Sequence, residues 1–174
     1  FLRIDISSFF PSVTSSTIKN ELSCLIKCSS EEEKTKLLDL ICDITTLNGS
    51  LPQGACTSPA LSNLVMARVD QRITKYCQVF AVRYTRYADD LLFSSSSFDF
   101  REKKWFLRKI KYILGSLHLK LNYSKIRFAE ARLVLNGYVI SEDGVSLSRS
   151  RLSDIRHLLA FSQSHLELIR KSES

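Results

Sequence analysis

A chain of 174 residues with 44% hydrophobic residues, five glycines and three prolines can bury a core and lacks the composition of a disordered segment. No apolar run approaches the roughly 20 residues of a membrane span, and Phe1-Leu2-Arg3-Ile4-Asp5 lacks a signal peptide's basic start and apolar core. The formal charge of +7 suits a polyanionic partner, because clustered Lys and Arg displace counterions from phosphates. Cys24, Cys28, Cys42, Cys56 and Cys77 form no CxxC pair and read as reduced packing residues of a cytoplasmic protein. The chain starts without Met, inside what reads as a core strand, as a piece of a longer protein would.

Phe1 to Ile6 alternates apolar and polar positions and predicts a strand with Asp5 near its end, where a carboxylate can face a cleft. Ser7 to Pro11 reads as a turn. Thr14 to Ser16 can cap a helix with Ile18, Leu22, Leu25 and Ile26 on one face. Glu31 to Thr46 repeats the pattern with Leu37, Leu38, Ile41 and Ile44, its acids in the first turn where the helix dipole favours them. After the loop signals Asn48-Gly49-Ser50 and Pro52-Gln53-Gly54, Thr57 or Ser58 caps and Pro59 opens a helix to about Tyr76. Its apolar stripe is Leu61, Leu64, Val65, Val69 and Ile73.

Val79 to Arg86 and Leu91 to Ser94 read as the strands of a hairpin, and Ser94 to Ser97 as a loop. A helix is expected from about Phe98 to Leu117, with Trp105, Phe106, Ile110, Ile113 and Leu114 inward. Its other face is cationic, with Arg101, Lys103, Lys104, Arg108, Lys109 and Lys111, a solvated face or a nucleic-acid contact. Ile126 to Ala129, Leu133 to Ile140 and, after the turn Glu142-Asp143-Gly144, Val145 to Leu147 read as strands. Ser148 or Ser150 can cap a last helix carrying Leu152, Ile155, Leu158 and Leu159; the segment from Ser162 is left open. Asp70 and Arg72 read as a surface pair, and His118, His157 and His165 share no ligand spacing. The order points to an α+β domain with helices packed on one face of an antiparallel sheet.

Three carboxylates stand out: Asp5, and Asp89 with Asp90 in the hairpin turn. Adjacent carboxylates repel and lose hydration, which raises the pKa of at least one unless a cation is present. An Asp-Asp pair also occurs in ordinary hairpin turns. If the first strand pairs beside the hairpin, however, all three meet at one sheet edge as hard oxygen ligands that suit Mg²⁺. Two such ions, with Mn²⁺ as an alternative, would activate a primer 3′-hydroxyl and stabilise a leaving pyrophosphate.

Phe1 to Val13 (Phe-Leu-Arg-Ile-Asp-Ile-Ser-Ser-Phe-Phe-Pro-Ser-Val) resembles the first catalytic motif of reverse transcriptases. Leu51 to Leu64 (Leu-Pro-Gln-Gly-Ala-Cys-Thr-Ser-Pro-Ala-Leu-Ser-Asn-Leu) resembles the second, and Tyr84 to Ser94, with Tyr87-Ala88-Asp89-Asp90 at its centre, the third. Leu119 to Lys125 is similar to the fourth, and Val134 to Ile140 falls where the primer grip belongs. The resemblance covers nearly all of residues 1 to 160. It implies a polymerase palm over residues 1–147 and the start of a thumb or connection over 148–174, with the fingers largely upstream.

The resemblance also assigns roles. Asp5, Asp89 and Asp90 would be the catalytic carboxylates and, with the backbone carbonyl of Ile6, the metal ligands. Ser8 and Phe9 would offer backbone N–H groups to the triphosphate, and Phe10 would be the steric gate against a ribose 2′-hydroxyl. Gln53 and Gly54 would line the nucleotide, the glycine allowing close backbone approach, and Lys125 would stand near the leaving pyrophosphate. Pro59, Tyr87, Gly137 and Tyr138 would meet template or primer. The implied partners are an RNA template, a DNA primer or product and dNTP, with no membrane; the piece by itself is expected not to polymerise.

Within the family, Leu51 to Asn63 and Tyr84 to Asp90 resemble bacterial retron enzymes more than retroviral ones. Cys56 stands where those enzymes usually carry Pro, and Val134-Leu135-Asn136-Gly137 replaces their Val-Thr-Gly. A retron likeness implies a structured non-coding RNA as template and primer, RNA-linked DNA as product, an effector protein and a role in anti-phage defence. Group II intron maturases and other defence-associated bacterial reverse transcriptases are the rival relatives. A non-catalytic RNA-binding scaffold is the rival of another class, against which the intact Asp5, Asp89, Asp90, Phe10 and Gln53 argue.

Overall fold

The structure, a computed structural model, describes residues 1–172 apart from Asn136 and Glu142, with side chains described through Gln163. It divides into two compact units, Phe1–Phe128 and a second beginning at Ala129. The first unit runs β1 (Leu2–Ser7), α1 (Phe9–Ser12), α2 (Ser15–Ser23), α3 (Glu31–Thr45), α4 (Ser58–Gln78), β2 (Arg83–Tyr87), β3 (Asp90–Ser94) and α5 (Lys104–Gly115). It closes with β4 (Lys120–Leu121), a 3-10 turn at Tyr123–Lys125 and β5 (Arg127–Phe128). The strands form an antiparallel sheet in the order β2-β3-β1-β4, with β5 also paired to β1.

Alternation along β1 and β3 separates two faces. Leu2, Ile4 and Ile6 with Leu91 and Phe93 are buried in one core with Val65, Val69 and Ile73 of α4 and Phe106, Ile110 and Leu114 of α5. Arg3, Asp5 and Asp90 therefore fall on the opposite face. This is the expected arrangement of helices on one side of an antiparallel sheet.

Thr14 caps α2 as expected, its Oγ1 accepting a hydrogen bond from the Thr17 N–H, and Pro59 sits in the first turn of α4. The side-chain cap expected of Thr57 or Ser58 is not made: Thr57 is the N-cap without such a bond, and Ser58 is already in the helix. Ser30 Oγ accepts from the Glu33 N–H and caps α3. The buried row of α3 runs through Leu38 and Cys42, rotated about one residue from the expected row, which leaves Leu37 and Ile44 exposed; Leu25 of α2 is exposed as well. All five cysteines are free, but only Cys42 and Cys77 are buried; Cys24, Cys28 and Cys56 are exposed.

Several element boundaries differ from expectation. The chain from Val79 to Val82 is not strand: α4 continues to Gln78 because Cys77 still faces the core, and it ends through Ala81 in the left-handed region (φ 53°). Helix α5 begins at Lys104, not Phe98. Asp99 Oδ1 accepts hydrogen bonds from the N–H groups of Arg101 and Glu102, which bends the chain so that Phe98 and Phe100 both reach the core. Trp105 is not core but 39% exposed, at the rim of a cluster in which Phe106 stacks on Tyr76 at 5.4 Å.

The second unit is a three-stranded antiparallel sheet, β6 (Arg132–Leu135), β7 (Tyr138–Ser141) and β8 (Gly144–Leu147), followed by α6 (Arg149–Ser172). The single strand expected from Leu133 to Ile140 is a hairpin. Gly137 adopts φ 82°, a left-handed value that glycine takes without a steric cost, and this turns the chain back on itself. Asn136 and Glu142, named in the expected primer grip and turn, lie outside the described residues, as does the side chain of His165. Ser148 Oγ accepts from the Arg151 N–H as the expected cap of α6, and the helix runs through the segment left open after Ser162. Leu152, Ile155, Leu158 and Leu159, expected on one apolar side of that helix, are exposed.

Candidate active site

The hairpin of β2 and β3 closes through Ala88 and Asp89, with Tyr87 paired to Asp90. Ala88 is left-handed (φ 51°). The neighbouring strand β1 runs antiparallel to β3 in a register that sets Asp5 opposite Asp90, and the Ile6 N–H donates to the Asp89 carbonyl at 3.0 Å. Directly opposed residues share a sheet face, so Asp5 and Asp90 project to the same side, and Arg3, two residues before Asp5, joins them. The first strand and the turn, more than eighty residues apart in the chain, thus meet as expected.

The carboxylates are not left bare. Arg3 donates from Nε to Asp90 Oδ1 at 2.9 Å and from Nη2 to Oδ2 at 2.7 Å, a bidentate pair that occupies both oxygens of Asp90. Lys125 Nζ donates to Oδ2 of the buried Asp5 at 3.1 Å, and the Asn122 N–H donates to the Asp5 carbonyl at 2.8 Å. Burial pushes the Asp89 carboxyl above the ordinary carboxylate range; the charges of Asp5 and Asp90 add to this, while a backbone hydrogen bond and Lys125 oppose it. Among the described residues, no three His, Cys, Asp or Glu side chains are gathered closely enough to hold a metal ion.

Behind the turn lies a second set of charges. Asp70 does not pair with Arg72: it accepts from Tyr84 Oη at 2.7 Å and from Arg86 Nε and Nη2, while Arg72 Nη1 donates to Ser116 Oγ. Arg86 also donates from Nη1 to the Ala88 carbonyl and from Nη2 to Asn63 Oδ1, both at 3.1 Å. Burial, with the Asp70 charge and hydrogen bond, pushes the Tyr84 hydroxyl far above its ordinary range. Arg3, Asn122 and this Asn63–Asp70–Tyr84–Arg86 set went unnoticed in the sequence. For Arg3 the signal was present, since alternation puts it on the face of Asp5.

The remaining candidates are placed as follows. Ser8 is left-handed (φ 47°) and its carbonyl accepts from the Ser12 N–H; the buried Phe9 and half-buried Phe10 open the single turn α1, their ring centroids 5.3 Å apart. Gln53 and Gly54 are exposed in the loop before α4, with Gly54 at φ 93° and open space where a Cβ would be. That loop is tied to the helix by Ser58 Oγ donating to the Pro52 carbonyl at 2.7 Å, and Pro59 is exposed beside it. Tyr87 is exposed in the first unit, whereas Gly137 and the exposed Tyr138 belong to the β6–β7 hairpin of the second.

An antiparallel sheet with helices behind it and acids from two strands on its open face is a polymerase palm. The chain belongs to the reverse transcriptase (RNA-dependent DNA polymerase) family, whose model matches residues 1–146. The likeness to bacterial retron enzymes is borne out. The chain is 32% identical to the retron Ec86 reverse transcriptase of Escherichia coli over 97% of its own length and 52% of that protein. It is 31% identical to the retron Ec83 reverse transcriptase of Escherichia coli over 78% of the chain and 40% of the relative. It is 34% identical to the retron Mx65 reverse transcriptase of Myxococcus xanthus over 53% of the chain and 25% of the relative. It thus spans about half the length of the first of these relatives and less of the others. In fold it is similar to an apo telomerase from Candida tropicalis truncated from its C-terminal domain, with TM-score 0.59, 13% identity, and coverage of 84% of this chain and 35% of the telomerase.

Proposed function

We propose that this chain is the palm, residues 1–147, and the start of the thumb, 148–174, of a cytoplasmic retron reverse transcriptase. Its activity is RNA-directed addition of dNTPs to a primer 3′-hydroxyl, and its partner is a structured non-coding RNA that is template and primer, with an effector protein in anti-phage defence. The observation that carries this reading is the β1–β3 register, which faces Asp5 to Asp90 and hydrogen-bonds Ile6 to the backbone of Asp89. A family match ending at residue 146 and retron relatives at about one-third identity support it.

The chemistry of the donors, though not their spacing among the described residues, suits divalent cations: Asp5 and Asp89 offer hard oxygens, Asp90 a third carboxylate, and the Ile6 carbonyl follows Asp5 along β1. Burial is the main cause of the raised Asp89 pKa and the Asp5 and Asp90 charges add to it, a cost that a bound cation would relieve. Two Mg²⁺ ions, when bound, would supply Lewis-acid activation for phosphoryl transfer. The protein's own residues position and balance charge. Arg3 holds Asp90, and Lys125 keeps a cation beside Asp5 where pyrophosphate charge develops. Ser8 and Phe9 present backbone N–H groups, Phe10 crowds a 2′-hydroxyl, Gln53 and Gly54 flank the nucleotide, and Pro59, Tyr87, Gly137 and Tyr138 contact template or primer.

The test is metal-dependent dNTP incorporation on primed RNA by the full-length protein and by Asp89→Asn. Incorporation that Asp89→Asn abolishes is expected, and no incorporation by the wild type overturns the reading. Sequencing the co-purified nucleic acid separates the biological settings: one structured RNA carrying linked DNA supports a retron, and intron RNA supports a maturase.

A further inference from the structure

We propose that Arg86 is a positioning residue that sets the Asp89 carboxylate through the backbone of the hairpin turn; this rests on Asp89 being a metal ligand, as proposed above. Two consecutive carbonyls bracket the α-carbon of Asp89. The Ala88 carbonyl accepts from Arg86 Nη1 at 3.1 Å, and the Asp89 carbonyl accepts from the Ile6 N–H at 3.0 Å. With both flanking peptide units held, these two bonds fix the Cα–Cβ direction from which the Asp89 carboxylate projects. One of them comes from the sheet. The other comes from a side chain that is itself locked.

The Arg86 side chain is 8% exposed, and all three nitrogens of its planar fork are engaged. Nε reaches both oxygens of Asp70 at 3.0 and 3.1 Å, and Nη2 reaches Asp70 Oδ2 at 2.7 Å and Asn63 Oδ1 at 3.1 Å. Asn63 and Asp70 lie two turns apart along α4, and Tyr84 and Arg86 alternate along β2, so one helix face meets one strand face. Tyr84 Oη completes the set on Asp70 Oδ1. The remaining Arg86 nitrogen is thereby aimed at Ala88, whose left-handed φ of 51° is a costly conformation for a residue with a Cβ. The guanidinium thus ties the long helix behind the sheet to the turn that carries Asp89 and Asp90. A lysine can meet the charge of Asp70 but has one nitrogen and cannot span to Ala88 as well.

The experiment measures Mn²⁺ affinity by electron paramagnetic resonance, with melting temperature in parallel, on the full-length protein and four variants. Arg86→Lys keeps the charge opposite Asp70. Arg86→Met/Asp70→Leu replaces the ion pair by apolar groups, a change that buried pairs often tolerate. Tyr84→Phe leaves both Arg86 contacts intact, and Asp89→Asn is the reference. Mn²⁺ affinity is expected to fall about tenfold or more in Arg86→Lys and in the double variant, the range of outer residues that orient metal ligands, and to stay at wild-type level in Tyr84→Phe. A folded Arg86→Lys protein with wild-type Mn²⁺ affinity overturns the inference, whether or not the apolar pair folds. Unchanged affinity in Asp89→Asn overturns the metal-ligand reading and the inference together. Weakened Asp89→Asn beside unchanged Arg86→Lys overturns positioning alone.

Discussion

Arg3→Leu is the change whose cost can be worked most directly from the geometry. It removes two charge-assisted hydrogen bonds, 2.9 and 2.7 Å long, and leaves Asp90 without its partner. Such bonds contribute about 1.5–3 kcal/mol when buried, against less than about 1 kcal/mol for an exposed ion pair. The Arg3 and Asp90 side chains are 30% and 16% exposed, so the pair falls between these limits and about 2 kcal/mol is expected. At about 2–4 °C per kcal/mol for a domain of this size, the melting temperature should fall by about 4–8 °C. The assay is a thermal double-mutant cycle with Asp90→Leu, read at low and high salt. The coupling energy should be about 1–2 kcal/mol and shrink only slightly with salt, because the pair is partly withdrawn from solvent. A coupling energy within about 0.3 kcal/mol of zero would refute the assignment of Arg3 as the counter-charge of Asp90.

Asp89→Asn should abolish nucleotide addition yet stabilise the fold at neutral pH. Burial holds the Asp89 carboxyl above its unfolded value, so the folded state binds the proton more tightly and ionisation costs stability as pH rises past about 3.9. The variant should therefore melt higher than wild type at pH 7 and at nearly the same temperature at pH 4; equal shifts at both pH values count against this origin. Phe10→Ala removes a half-buried ring, and primer extension with rNTPs should rise at least tenfold relative to dNTPs, whereas unchanged discrimination removes Phe10 from the gate role. Phe106→Ala empties the centre of the aromatic cluster, where the ring is 1% exposed, and should cost about 3–5 kcal/mol in a denaturant melt; a loss under about 1 kcal/mol would mean that the core closes over the cavity.

The sequence by itself was enough for the family and the fold class. Asp5, the Pro-Gln-Gly loop and the Asp89-Asp90 pair carry the resemblance in residue type and order, and β1 alternates because one face packs into the apolar core while the other carries Arg3 and Asp5. The helix cap at Thr14 was legible for a similar reason, since the capping oxygen and the N–H it meets lie three residues apart. Boundaries set by competition were less legible. Continuation of α4 past Tyr76, the Asp99 turn that seats two phenylalanines and the reversal at Gly137 depend on what each side chain finds to pack against or on backbone angles. The partners of the charges were decided by tertiary structure alone. Arg3 finds Asp90 across 87 residues of chain, Lys125 finds Asp5 across 120, and Asp70 turns from Arg72 to Arg86 because α4 meets β2 there. Local pattern reports which face a residue occupies, but which opposite charge meets it depends on the register between strands and the seating of the helix behind them.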